Sequence, residues 1–151
     1  MPVLFVDGKP IPQSLAIARY LAKEICKSNF DAAWVDAIGD QIKDYLNEMH
    51  PFFMAYMGTG DKAEQEKKVA IPTRDKHFPI FEKILKDSSS GFLVGDSVTW
   101  VDLFLANHID TFNGMQPEFF MGFPKVLEHC KKIHSLPNIK EWIEKRPQTQ
   151  F

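Results

Sequence analysis

The chain has 151 residues, with 18 basic and 20 acidic side chains and a formal net charge of -2. This length suits one medium-sized domain, or one domain with part of another. A hydrophobic content of 44% and a charged content of 25% are average for a soluble globular protein, which excludes disordered, collagen-like and disulfide-rich secreted chains. The nearly neutral charge gives no overall electrostatic support for a nucleic-acid partner or an anionic membrane.

Cysteine use and the distribution of apolar runs favour a cytoplasmic protein. Cys26 and Cys130 are far apart in sequence and form no metal-binding spacing, as expected of reduced thiols packed in a core. No apolar run approaches the length of a transmembrane helix. The apolar start at 2–6 lacks a basic leader and a cleavage site, so it does not predict a signal peptide. We therefore expect a cytoplasmic chain without a membrane partner.

The first predicted elements are a hairpin and a helix. The apolar run 3–6, the dipeptide Asp7-Gly8 and the segment 9–11 predict two strands joined by a tight primed turn. Ser14 is placed to cap a helix running to about Lys27. Its predicted buried face consists of Leu15, Ala18, Leu21, Ala22 and Ile25. A two-stranded ribbon is marginal alone, so either this helix covers it or flanking strands are missing.

A long second helix is predicted to open at Asp31. Apolar side chains then recur every three or four residues, at Val35, Ile38, Ile42, Tyr45, Met49 and Phe53. Pro51 is expected to kink this helix, and Gly58 is expected to end it.

The remaining sequence also predicts helices. Asp61 begins one of them, which Pro72 and Pro79 are expected to bend or divide before the serine-rich loop at 88–91. Thr99 and Asp102 have capping-box spacing, the sharpest start signal in the chain. Two more helices begin near 124 and 137, each at a proline. The predicted fold is mostly α: a ββα piece followed by an all-helical bundle.

The hairpin-to-helix junction is the first candidate site. At Gln13-Ser14 the unpaired amide groups of a helix N-terminus meet an amide and a hydroxyl side chain, a corner that favours a carboxylate. A plain N-cap is the simpler interpretation, because Ser before an apolar helix is common.

The second candidate is a row of carboxylates spaced four residues apart on the long helix: Asp36, Asp40, Asp44 and Glu48. Neighbouring like charges repel by roughly 0.2–0.5 kcal/mol per pair, and only Lys43 and Lys9 stand out as nearby cations. A cation or a partner's amino group would relieve this repulsion. The alternative is an ordinary solvated face.

The third candidate is an aromatic and methionine cluster just after that row: Phe52, Phe53, Met54, Tyr56 and Met57. Such side chains can line an adaptable apolar pocket, although they more often form core or an oligomer interface. His129, Cys130 and His134 share a helix but lack a fourth ligand, so they do not predict a zinc site.

Several motifs, in order, resemble a glutathione S-transferase. They are the segments 2–4, 13–21, 35–38, 97–102 and 140–147, together with the Asp7-Gly8 turn. The detailed match is similar to the sigma class, which includes haematopoietic prostaglandin D synthases and nematode enzymes. The resemblance covers practically all of the chain. It implies that 1–28 is the C-terminal part of a thioredoxin-like glutathione-binding domain, lacking its first half, and that 29–151 is the all-α C-terminal domain.

The resemblance also implies a set of glutathione contacts. Pro2 would be the cis-proline beside the cysteinyl backbone, and Gln13 and Ser14 would contact the γ-glutamyl carboxylate. Asp44 would reach across a dimer axis to the γ-glutamyl amino group bound by the neighbouring subunit. In the prostaglandin synthases the acidic helix holds a divalent metal, but here Lys43 replaces a carboxylate, so no metal is expected.

The implied activity is conjugation of glutathione thiolate to small apolar electrophiles, with prostaglandin H to D isomerisation as a possible branch. The family's thiolate-stabilising tyrosine would lie in the missing half, and Tyr20, Tyr45 and Tyr56 match helices, with hydroxyls expected to reach outward. We therefore expect impaired catalysis and assign no catalytic residue. The expected partner is a second copy, as a homodimer, or a full-length subunit in a heterodimer. The alternative is a non-catalytic ligand-binding or dimerisation module.

Overall fold

The computed structural model describes residues 2–23 and 28–147. Within these residues, a hairpin and one helix precede a bundle of longer helices. The predictions that involve Ile25, Cys26 and a helix end near Lys27 lie outside the described residues. So does the cis-proline prediction, since the peptide bond before Pro2 begins at Met1.

The predicted hairpin is confirmed. Strands β1 (Val3–Val6) and β2 (Lys9–Pro12) pair antiparallel, with Val6 opposite Lys9. Asp7 and Gly8 both have positive φ, of 49° and 78°, as a type I′ turn requires. The exposed dipeptide thus sets the register of the two strands.

The first helix, α1 (Ser14–Ala22), packs on both strands as predicted, but two details of the prediction are wrong. Gln13, not Ser14, is the N-cap residue, and Ser14 is the first helical residue. The predicted buried face is incompletely covered: among its described members Ala22 alone is buried, and Leu21 remains 51% exposed. The hairpin and α1 therefore add little to the hydrophobic core.

The rest of the described chain is helical, which confirms the mostly α fold. The elements are α2 (Asn29–Tyr56), α3 (Lys62–Gln65), a π-helical turn (Glu66–Ala70), α4 (Ile71–Asp87), α5 (Trp100–Met115), α6 (Pro124–Ser135) and α7 (Pro137–Lys145). No helix among the described residues is both long and apolar enough to cross a membrane.

Helix α2 begins two residues before the predicted start. Ser28 is the N-cap residue, and its Oγ accepts a hydrogen bond of 3.0 Å from the backbone N–H of Asp31. The predicted apolar face is buried as expected from Val35 to Met49. Pro51 lies inside the helix, which continues to Tyr56, and Gly58 follows its end with a φ of 98°.

Two prolines are accommodated within the next helical stretch. Asp61 caps it, with its Oδ1 accepting from the N–H groups of Ala63 and Glu64 at 2.9 and 3.1 Å. The π-helical turn immediately precedes the segment that contains Pro72, whose nitrogen has no hydrogen to donate. Pro79 lies inside α4, which continues to Asp87, so it does not divide the helix.

The core lies between α2, α4, α5 and α6 and is rich in phenylalanine. Phe78 and Phe120 lie 4.5 Å apart between ring centroids, and Phe52 stacks on Phe112 at 5.6 Å. All four side chains are buried. Pairs at such distances add to the free energy gained by burying apolar area.

A buried carboxylate ties the start of α5 to two other parts of the bundle. Asp102 Oδ2 accepts hydrogen bonds from the backbone N–H of Thr99 at 2.8 Å and from its hydroxyl at 2.7 Å. Asp102 Oδ1 accepts from the N–H of Leu93 at 2.8 Å and from Nε2 of His129 at 2.9 Å. The predicted capping residues are therefore confirmed, and one of them also anchors a loop and α6.

The substitution Asp102→Ala should lower the free energy of unfolding by about 3–5 kcal/mol, because it leaves buried donors on Leu93 and His129 unpaired. Asp110→Ala on the same helix is the matched control. Among the described residues Asp110 forms only an exposed ion pair of 3.3 Å with Arg146, so its loss should cost about 1 kcal/mol or less. Urea unfolding measures both values, and equal losses would contradict the anchoring role.

Candidate functional site

The junction between β2 and α1 has the features of an anion-binding corner. Gln13 has a φ of 75° and a ψ of 119°, a conformation that is strained for a residue with a side chain. Its side chain forms no cap hydrogen bond, while its carbonyl accepts from the N–H of Ile17 at 3.0 Å. The first-turn amide groups of α1 thus have no side-chain cap, unlike those of α2 and α3.

Ser14 lies at this corner and also lines an apolar groove of about 530 Å³ between α1 and α5. The groove walls include Leu15, Ala18, Leu21, Val98, Leu103 and Phe104. Trp100 contributes an indole Nε1 that is buried and has no hydrogen-bond partner among the described residues. The structure therefore places a polar helix start beside an apolar surface, an arrangement that suits a ligand with one charged and one apolar part.

Arg19 joins α1 to the row of carboxylates on α2. Its Nε lies 3.0 Å from Asp36 Oδ1, and its Nη2 lies 2.5 Å from Asp40 Oδ1. The hydrogen bond with Asp40 is the main reason that the pKa of the guanidinium is raised. Lys43 and Lys9 were the cations that stood out near this row in the sequence, and sequence spacing did not identify Arg19, the interhelical partner of Asp36 and Asp40.

The other end of the row is paired through α4. Glu48 Oε1 lies 2.5 Å from Nζ of Lys76, and this hydrogen bond is the main cause of a lowered Glu48 pKa. Nε2 of His77 is 3.3 Å from the same oxygen. Asp44, between these pairs, is exposed and has no ion-pair partner among the described residues. Of the four carboxylates, it is the one left open to a ligand or a neighbouring subunit.

Pro2 is exposed just before β1, so it belongs to the same unit as Gln13 and Ser14. Asp44 belongs to the helical bundle instead, in the middle of α2. The four predicted glutathione contacts therefore divide between the two parts of the structure, and the Arg19 ion pairs connect those parts.

The aromatic and methionine cluster contributes mainly to the core. Phe52 is fully buried, and Phe53 and Tyr56 pack against buried residues. Met54 and Met57 remain exposed, Met57 by 71%. The apolar groove beside Ser14 is formed by other residues.

The prediction that the tyrosine hydroxyls reach outward is wrong for Tyr45. Its ring is buried in the core, and its hydroxyl lies 3.2 Å from Nε2 of His108. Burial raises the pKa of Tyr45 and lowers the pKa of His108 to about 4. Both groups are therefore neutral at physiological pH. Tyr20 is partly exposed on α1, and the Tyr56 ring faces Nζ of Lys62 at 4.8 Å.

Across 2–23 and 28–147, no group of three or more His, Cys, Asp or Glu side chains is arranged to hold a metal ion. His129 instead bonds to Asp102, and Cys130 donates to the carbonyl of Ala106 at 3.6 Å. Burial raises the pKa of the Cys130 thiol to about 11, so it is protonated and unreactive at neutral pH.

Comparison with known proteins places this architecture in one family. Residues 40–146 match the model of the glutathione S-transferase C-terminal domain. The chain is 47% identical over 154 residues to the probable glutathione S-transferase 9 of Caenorhabditis elegans, an alignment that covers 99% of this chain and 75% of that protein. The chain belongs to the glutathione S-transferase family.

Solved structures of glutathione S-transferases agree with this assignment. One named NaGST1 is 50% identical, with a TM-score of 0.95, and covers 100% of this chain and 76% of its own. Na-GST-3 of the hookworm Necator americanus, described as monomeric, is 46% identical with a TM-score of 0.93 and the same coverage. The hairpin and α1 thus match along with the helical domain, as predicted.

The more specific class assignment has weaker support. A prostaglandin synthase D structure from Nilaparvata lugens is 27% identical, with a TM-score of 0.84, and covers 99% of this chain and 75% of its own. The nematode transferases are considerably more similar in sequence.

Buried His108 should make the stability of this transferase depend on pH. The core holds the imidazole in its neutral form, with a pKa of about 4, whereas the unfolded chain takes up the proton near pH 6.5. The free energy of unfolding is therefore unaffected by the titration of this histidine above pH 6.5. It decreases as the pH falls towards 4, by up to about 1.4 kcal/mol per pH unit.

The variant His108→Gln, which does not titrate, should therefore lose less stability than the wild type between pH 6.5 and 4. Urea unfolding at several pH values gives the two slopes. His50→Gln, at an exposed histidine, is the control and should keep the wild-type slope. Identical slopes for His108→Gln and the wild type would contradict a buried neutral imidazole.

Proposed function

We propose that this member of the glutathione S-transferase family acts in the cytoplasm. Its reaction is the conjugation of glutathione, through the glutathione sulfur, to small apolar electrophiles. Family membership supports the transferase chemistry. The observation that carries the proposal is the uncapped start of α1 at Gln13-Ser14, which lies beside an apolar groove. A tripeptide thiol with a charged end and an apolar co-substrate need such adjacent surfaces.

The γ-glutamyl carboxylate of glutathione is proposed to bind at the first turn of α1. Its oxygens would accept hydrogen bonds from first-turn amides and from the Ser14 hydroxyl, and the positive end of the helix dipole favours the negative charge. Gln13 would hold the entry of the chain in its left-handed conformation and offer its side-chain amide. Pro2 would lie beside the cysteinyl backbone.

Asp44 is proposed to contact the amino group of glutathione bound to a second subunit. Its support is electrostatic: Asp36, Asp40 and Glu48 have cationic partners within the chain, whereas no such partner of Asp44 is present among the described residues. This role requires a homodimer, or a heterodimer with a full-length subunit. The relative Na-GST-3, by contrast, is described as monomeric.

Conjugation requires the thiolate of glutathione, because the thiolate is the attacking nucleophile and a lowered thiol pKa raises its population. In the family a tyrosine stabilises this thiolate, and the resemblance does not give that role to Tyr20, Tyr45 or Tyr56. We therefore propose that the 151-residue chain binds glutathione weakly and catalyses poorly. A sigma-type identity, with prostaglandin isomerisation as a branch, belongs to this proposal and is supported by the similarity to a prostaglandin synthase.

Ser14→Ala should weaken glutathione binding about tenfold, the effect of losing one hydrogen bond to a charged group. Titration of the full chain with millimolar glutathione, followed by amide chemical shifts, measures the affinity. Ser135→Ala is the matched control, because this exposed serine ends α6 and bonds only to the carbonyl of Lys132 among the described residues. Equal affinities for the two variants would contradict docking at α1.

The second candidate function is a non-catalytic module that binds apolar ligands or a second subunit. The specific observation in its favour is the open groove between α1 and α5, whose lining is predominantly apolar. Leu103 is 42% exposed at this groove, an accessible contact for an apolar ligand.

The non-catalytic function is tested by giving the chain a chloronitrobenzene with glutathione, and separately an apolar fluorescent probe. We expect conjugation close to the spontaneous rate, because the activating tyrosine is not assigned within this chain, together with binding of an apolar fluorescent probe. Leu103→Lys should abolish probe binding, whereas Met57→Lys, on a different exposed surface, should not. Product formation well above the spontaneous rate would exclude the non-catalytic function.

A further inference from the structure

A second polar feature lies outside the proposed glutathione site, at the histidine that supports the α5 cap. His129 is 3% exposed, and its Nε2 donates to Asp102 Oδ1 at 2.9 Å. The other ring nitrogen, Nδ1, is buried and has no hydrogen-bond partner among the described residues. A buried polar atom left in this state is costly, so it marks a position where a ligand atom would be stabilised.

His129 lines a cleft of about 300 Å³ between the loop after α4 and helix α6. The loop contributes the three serines 88–90 and Gly91, and α6 contributes Lys125, Glu128 and Lys132. Ser88 and Ser90 bond within the loop: the Ser88 hydroxyl donates to the carbonyl of Phe92 at 2.8 Å, and that of Ser90 to the carbonyl of Gly95 at 2.6 Å. The cleft is therefore a structured polar site and not an apolar void.

The two lysines in the cleft differ in how their charge is balanced. Lys125 Nζ lies 2.7 Å from Glu128 Oε2, so this pair is close to neutral. Lys132 Nζ donates to the carbonyl of Ser90 and lies 3.7 Å from the ring centroid of Phe92. No carboxylate pairs with Lys132 among the described residues. Its ammonium group has three donors, so positive charge and hydrogen-bonding capacity remain for an anion.

Gly91 allows this arrangement. It has a φ of 72°, and a Cβ at this position would lie 3.4 Å from Nζ of Lys132. The loop can thus lie close to the Lys132 side chain, because Gly91 has no side chain that would contact it.

We propose that this cleft binds the phosphate group of a small molecule, either as inorganic phosphate or as a phosphate monoester. Lys132 would supply the charge-assisted contact to a phosphate oxygen. Nδ1 of His129 would bond to a second oxygen. Near neutral pH inorganic phosphate always carries a proton that it can donate. A monoester carries one in the minority of molecules that its second pKa of about 6 leaves protonated, so both groups can bond to an accepting ring nitrogen. The site is independent of the glutathione proposal and shares no residue with it.

The test is a titration of the intact chain with inorganic phosphate at constant ionic strength, balanced with chloride. Ring nitrogen signals of His129 and the amide signal of Ser89 report occupancy of the cleft. We expect saturable shifts, which Lys132→Gln weakens about tenfold, as expected for the loss of one charged hydrogen bond. Lys131→Gln makes the same charge change at the neighbouring exposed position and should leave the affinity unchanged.

Glycerol phosphate provides a second arm, and it should bind at least as tightly as inorganic phosphate if the occupant is a monoester. Sulfate should bind more weakly, because it cannot donate to the histidine nitrogen. Thermal unfolding of Lys132→Gln checks that the loop remains folded. Phosphate shifts that do not saturate, an equal effect of Lys131→Gln, or an equal response to sulfate would each overturn the proposal.

Discussion

The helical domain depends on one buried carboxylate more than on any other polar group. Asp102 accepts four hydrogen bonds, from Leu93, His129 and both donors of Thr99. These bonds fix three things at once: where α5 starts, how the preceding loop approaches it and how α6 lies against it. A buried charge is tolerated only when its acceptors are satisfied, so the same contacts that stabilise the carboxylate also specify the packing. The aromatic core between α2, α4, α5 and α6 then forms around a defined frame.

The proposed glutathione corner is connected to this frame by charge as well as by apolar packing. Arg19 links α1 to Asp36 and Asp40 on α2, and its guanidinium carbon lies 6.0 Å from the ring centroid of Trp100 on α5. Gly39 allows α2 and α5 to approach there, because a Cβ at that position would overlap the Trp100 indole. The position of Ser14 relative to the bundle thus depends on Arg19 in the same helix, and on a glycine and a tryptophan that are remote from it in sequence.

The sequence predicted those features that depend on neighbouring residues. The Asp7-Gly8 turn, the Thr99 and Asp102 cap and the prolines at the starts of α6 and α7 were all predicted and are confirmed. Features that depend on interhelical geometry could not be predicted in this way. The bond from His129 to Asp102 spans 27 residues, and the pairing of Arg19 with Asp40 spans 21. The prediction that the Tyr45 hydroxyl points outward was wrong for the same reason. Periodicity identifies the buried face of a helix, but it does not identify His108 as the partner of that hydroxyl.

The hairpin unit has a different energetic character from the bundle, and this difference affects how the protein loses its structure. Within 2–23, Ala22 is the one fully buried residue, and Phe5 is 66% exposed. With so little apolar area covered, we expect the unit to open at a lower free energy than the helices, as a separate cooperative segment. Its amide hydrogens would exchange with solvent while those of α5 stay protected. A single melting temperature would then describe the bundle alone. A carboxylate ligand bound at α1 would stabilise the hairpin unit, the segment that opens earliest.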